Sequence, residues 1–235
     1  MLGKNDFARQ LYVPRNSSSP AINAAFVVWN ILNAVAREKE PLYRYQQGHV
    51  RPIQATVLLE EAGGKASYCE FGFNAGHSAA LILVSDPAVT IHSFDLMSFN
   101  YSWPVAHLLN ESFGQRLRIL TGPSGNTLRH ICERRKEERP KCDIVFVDGS
   151  HRRSQVLSDL ALTAKCITKP GTVFVVDDTT TGSGAALQHV VNKRLFRRKS
   201  TYGPYPPRHV NNPCMQTPQG KLCFPWGFDV AVQLA

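Results

Sequence analysis

The chain has 235 residues, 43% of them hydrophobic, and its 27 Lys and Arg outweigh 18 Asp and Glu to give a formal net charge of +9. Such a balance suits one soluble globular domain large enough to bury a full core. It excludes a bilayer-spanning segment, since no apolar run approaches the necessary length, and the amino terminus lacks the continuous apolar stretch of a signal peptide.

Residues 1–19 are polar up to Ser17-Ser-Ser19-Pro20, which reads as a helix start. Ala25, Val28, Ile31, Leu32 and Val35 then recur at helical spacing and predict an amphipathic helix over 21–37, suited to packing, to covering a cofactor or to pairing subunits. A second helix over 51–62 is closed by Gly63-Gly64. From there strands and helices alternate: a strand over 66–71 and a helix over 78–84; 90–94 and 104–113; 117–121 and 127–138; 142–147 and 154–167; 171–176 and 184–197. The short β-branched runs predict parallel strands buried on both faces, hence a doubly wound α/β sheet, mostly parallel. Six prolines between 204 and 225 predict a long irregular excursion over the sheet's rim, and 227–235 alternates like a last strand. The whole reads as one domain, with a helical cap over 1–50, a core over 65–180 and a proline-rich loop over 200–226.

The first strand ends in Glu70-Phe-Gly-Phe-Asn-Ala-Gly-His-Ser78. Glycines at the carboxyl end of a strand let a ligand approach backbone N–H groups, although a plain tight turn uses the same residues. The later strands end at Asp95, at Asp148 and at Asp177-Asp178. Ligands of such sheets gather outside the carboxyl ends of the strands, so these carboxylates are expected along one rim with Glu70.

Together with Ser93-Phe-Asp95, Leu120-Thr-Gly-Pro-Ser124, Asp143-Ile-Val-Phe-Val-Asp-Gly-Ser-His151 and Gly171-Thr-Val-Phe-Val-Val-Asp-Asp178, that segment resembles class I S-adenosylmethionine-dependent methyltransferases, nearest to the small catechol-type O-methyltransferases. The resemblance covers about residues 50–180. It implies a seven-stranded sheet with an antiparallel last strand, and S-adenosylmethionine bound by Glu70, Gly72, Asn74, Gly76, Ser78, Asp95, Ser124 and Asp148. Asp95 is placed for the ribose hydroxyls, and Ser124 for the adenine. The spacing after Glu70 is Gly-x-x-x-Gly, which lacks the three-glycine fingerprint of dinucleotide binding. The resemblance also implies a divalent metal, Mg²⁺, on Asp148, Asp177 and Asp178, an oxygen set suited to a hard cation. His151, three residues past Asp148, stands where the family keeps a lysine base and is a candidate to accept a proton from a substrate hydroxyl; metal ligation and plain helix capping are the alternatives. His77 is expected on the solvent side of the turn.

The leading expectation is therefore methyl transfer to a hydroxyl of a small molecule, with Asp148 and His151 at the reaction centre. A metal-independent methyltransferase acting on RNA or protein and a catalytically inactive cofactor-binding protein are the alternatives. For nucleic acid the only support is the basic run Lys193–Lys199, otherwise a solvated helix end. The six cysteines lack metal-type spacing. Cys69 is expected as plain core, and Cys214 and Cys223 bracket a hairpin that an oxidising compartment could bridge. Sequons at Asn16, Asn100 and Asn110 point to a secretory lumen, but the cytoplasm is the expected compartment; a homodimer is a further expectation.

Overall fold

The computed structural model describes residues 19–40, 50–205, 214–217, 220–223 and 226–234. Helix α1 (Pro20–Lys39) starts as its sequence dictates. Ser19 accepts a hydrogen bond from the Ile22 amide, Pro20 opens the first turn, and Arg37 and Lys39 face the negative end of the helix dipole. Helix α2 (Pro52–Ala62) follows, and then the alternating units: β1 (Ser67–Phe71) and α3 (His77–Ser85), β2 (Thr90–Asp95) and α4 (Ser102–Ser112), β3 (Leu117–Thr121) and α5 (Ser124–Glu133), β4 (Ile144–Val147) and α6 (Arg153–Cys166), β5 (Val173–Val176) and α7 (Gly182–Asn192). Four strands come after these: β6 (Phe196–Tyr205), the hairpin of β7 (Cys214–Thr217) and β8 (Gly220–Cys223), and β9 (Trp226–Gln233).

The main sheet has seven strands in the order β3-β2-β1-β4-β5-β9-β6. Strands β1 to β5 are parallel, whereas β9 runs antiparallel between β5 and β6. Alternation within each strand divides the core in two. Tyr68, Ile144, Phe146 and Val175 join one cluster with Trp29, Leu32 and Leu109, while Cys69, Phe71, Val145, Val147 and Val176 join the other with Leu128, Leu160 and Leu187. Both faces of the parallel strands are thus covered, which explains their nearly continuous apolar runs.

Two expectations are corrected here. The basic run does not extend a helix: α7 stops at Asn192, the chain turns at Arg194 with φ +57°, and Phe196 enters the core as β6 begins. Residues 201–226 are also less irregular than their prolines suggest, because β6 runs to Tyr205 and the β7–β8 hairpin pairs the backbones of Cys214 and Cys223. The side chains of that hairpin lie outside the described residues, as does Asn16. Cys69 is buried as expected but is bonded to Cys142, and a second disulfide joins Cys132 at the end of α5 to Cys166 at the end of α6.

Candidate active site

The turn after β1 is built to let backbone pass against backbone. Gly72 has φ +97°, and a Cβ there would collide with the Asp148 carbonyl at the end of β4. Asn74, with φ 49°, is fixed by the Tyr101 hydroxyl, which donates to its Oδ1 at 2.7 Å, and by Ser102, whose hydroxyl donates to its carbonyl at 2.9 Å. Gly76 (φ +71°) opens α3 in a space where a Cβ would press on Phe73 and Leu109. The first turn of α3 is clamped from outside by α1: the Trp29 indole donates to the His77 carbonyl at 2.7 Å, and the His77 ring meets Asn33 Oδ1 at 3.1 Å. His77 is therefore fully buried, not on the solvent side, because α1 covers it.

Asp95 joins two turns. Its Oδ2 accepts from the amides of Phe73 (2.7 Å) and Asn74 (3.2 Å), and its Oδ1 from that of Met97 (2.6 Å). Glu70 and Ser78 lie behind the turn, buried. Ser78 donates to one oxygen of Glu70 and Ser93 to the other, while burial raises the carboxyl to about 7 against the pull of those hydroxyls. These two residues support the turn instead of lining the cavity it borders.

That cavity, about 540 Å³, lies outside the carboxyl ends of β1 to β4. Gly72, Asn74, Asp95, Ser124 and Asp148 line it, as the sequence suggested, together with apolar Phe94, Leu96, Phe99 and Pro123. Sequence reasoning missed Gln155 and Asp159, which reach it from α6. Asp159 occupies the buried stripe of that helix beside Val156, Leu160 and Thr163, and a carboxylate at a core-facing helical position was the available signal.

At the cavity's other border, Asp148, His151 and Asp178 each offer one atom within 4.8 Å of the others, the only such group among the described residues. His151 Nδ1 lies 2.9 Å from Asp178 Oδ2. Asp178 takes the left-handed conformation (φ 50°), and its carbonyl accepts from the Thr181 amide and hydroxyl, which leaves the carboxylate for His151. Thr181 caps α7, its side chain accepting from the Ser183 amide. The expected ligand Asp177 stands outside this trio: it is buried, and its Oδ1 accepts from the Trp226 indole at 2.9 Å. Arg51 lies with its guanidinium 3.6 Å from the Trp226 ring centroid and attracts Asp177, Asp178 and Asp148. Burial and the neighbouring carboxylates push Asp148 well above the usual range and Asp177 to about 6; the bond to Asp178 raises His151 against its own burial. Concentrated negative charge with oxygen donors is what a hard cation neutralises, so the donor set fits a divalent metal.

Residues 69–179 match the family described as "Methyltransferase domain". No curated protein matches the sequence significantly. Among solved structures, the cofactor-bound Rv0187 from MTB shares 16% identity at TM-score 0.63, over 97% of this chain and 95% of its own. The O-methyltransferase TomG from Streptomyces achromogenes, solved with SAM, shares 16% at 0.62 over 98% and 95%. An O-methyltransferase from Bacillus cereus, in complex with SAH, shares 14% at 0.63 over 97% and 96%. At such identities the structural likeness speaks for the fold alone. Residues 69–179 are thus similar to a methyltransferase domain and the sheet has the fold of these methyltransferases, while the glycine turn, with its close backbone approach at Gly72 and its open cavity, fits S-adenosylmethionine.

Proposed function

We propose that the protein transfers a methyl group from S-adenosylmethionine to a hydroxyl of a small molecule, with a divalent cation assisting. The observation that supports this most is that one cavity borders both the glycine turn with Asp95 and, through Asp148, the Asp148–His151–Asp178 cluster. The O-methyltransferases among the structural neighbours accord with this choice of acceptor.

The cofactor supplies an already electrophilic methyl carbon, so the protein's task is mainly alignment. The side-chain-free turn at Gly72 would seat its amino-acid end and Asp95 its ribose. Asp148 and Asp178 would hold Mg²⁺, which when bound lowers the pKa of a ligated hydroxyl. Asp177, tied to Trp226, buttresses the pair from behind. The contact with Asp178 orients the His151 ring through Nδ1 and leaves Nε2 to accept the hydroxyl proton.

Calorimetric titration with S-adenosylmethionine tests the first part: wild type binds, and Asp95→Ala weakens binding about 10-fold or more. Turnover on a panel of hydroxylated acceptors tests the rest. Activity should vanish in chelator and return with Mg²⁺, and full activity in chelator would remove the metal from the mechanism. The two disulfides support an oxidising compartment over the cytoplasmic one expected from the sequence. Exposed Val27 and Ile31 on α1 offer a face for a homodimer, which sedimentation would detect.

A further inference from the structure

Asp159 is only 2% exposed, yet it lines the cavity. Its Oδ1 accepts both from the Ser124 hydroxyl at 2.8 Å and from the Gln155 side-chain amide at 2.9 Å, and Gln155 also donates to Ser124 at 2.9 Å. Its Oδ2 takes no hydrogen bond from the described residues. A buried carboxylate is costly unless its lone pairs find donors, so one oxygen fixed by neighbours and one left over is a site prepared for a donor from a ligand. Gly125 at the start of α5 lies against Gln155 and Ser158, where a Cβ would stand 3.4 Å from Gln155 Nε2 and from Ser158 Oγ, and α6 carries Gln155 and Asp159 to the cavity.

The position identifies the donor. Asp159 is bound to Ser124, which follows β3, whereas Asp178 follows β5, and β2, β1 and β4 lie between those two strands. In the cofactor the ammonium group sits on the same short chain as the sulfur that delivers the methyl group, so it belongs toward the Asp148–His151–Asp178 side. Asp95, at the end of β2, is placed for the ribose. What remains for the β3 side is the purine, whose exocyclic amine is a hydrogen-bond donor.

We propose that Asp159 reads the adenine of the cofactor, its Oδ2 accepting from the exocyclic amine, so that the site selects an adenosyl group over purines that lack this donor. This rests on the S-adenosylmethionine reading above. Ser124 and Gln155 are positioning residues that hold the carboxylate in the orientation this requires.

The test is calorimetric and needs no turnover. S-adenosylhomocysteine, S-inosylhomocysteine and the analogue carrying an unsubstituted purine are titrated into wild type and Asp159→Asn. Wild type should bind the adenosyl compound about 10- to 100-fold more tightly than either of the others, the cost of losing a hydrogen bond to a charged acceptor. In Asp159→Asn that preference should shrink to about threefold or less, mainly through weaker binding of the adenosyl compound. Equal wild-type affinity for all of them, or an equal loss for all of them in the variant, would overturn the proposal. Failure of wild type to bind any of them would instead strike the cofactor reading itself. Should Asp159→Asn not fold, as judged by its thermal melt, the wild-type comparison decides alone.

Discussion

Gly72 leaves the site no room for a side chain. Its left-handed φ and its approach to the Asp148 carbonyl mean that Gly72→Ala must distort either the turn or the end of β4. The expected cost is about 2–4 kcal/mol, seen as a lowered melting temperature, together with loss of cofactor binding by calorimetry. Glu70 makes a different prediction, about pH. Its folded value, about 7, lies above the ordinary glutamate value of about 4.3, so its contribution is fully present below about pH 4 and is lost as pH rises through about 7. The difference is on the order of 3 kcal/mol. Glu70→Gln keeps the shape but cannot ionise, so its melting temperature should fall less than that of wild type across this window. His151→Gln should leave S-adenosylmethionine affinity unchanged while slowing turnover about 100-fold or more.

Among the elements, α1 does more than cover the sheet, since the Trp29 indole holds the carbonyl of the residue that opens α3. The disulfides act similarly on the opposite face. Cys132–Cys166 ties the ends of α5 and α6, the helices that carry Ser124 and Asp159, across a separation of 34 residues. Replacing both cysteines by serine should lower stability by about 2–4 kcal/mol, read by denaturant titration under non-reducing conditions. Much of this scale was legible in the sequence. The five parallel strands followed from β-branched runs bounded by Gly and Pro, and the rim carboxylates from the residue that ends each run. Strand β6 was not legible, because Arg197, Arg198 and Lys199 carry no apolar alternation; an edge strand is guarded by the very charges that hide it. The disulfide partners were equally invisible, since contacts across 73 and 34 residues leave no local pattern. Nor could spacing show that Asp177 would face Trp226 while His151 joins Asp148 and Asp178.

Across the whole molecule, the net charge of +9 is less available than the sequence implies. Arg198 pairs with Asp229 at 3.0 Å and Lys199 with Glu61 at 2.6 Å, so two members of the basic run already have acidic partners. Binding to a generic RNA is therefore expected only in the non-specific range of about 10⁻⁴–10⁻⁶ M, weakening steeply with salt in fluorescence anisotropy. Tight, salt-tolerant binding would revive the RNA-methylating alternative. The antiparallel strand β9 also gives the protein a schedule. It is the last of the seven strands to leave the ribosome, yet it fills the place beside β5 and delivers Trp226 to Asp177 and Arg51. During synthesis the segment that carries the methyltransferase match is thus finished early but waits with the β5 edge bare, unable to complete its rim. A chain stopped before Trp226 should stay in that waiting state, poorly soluble and unable to bind the cofactor, so assembly of the site waits for β9.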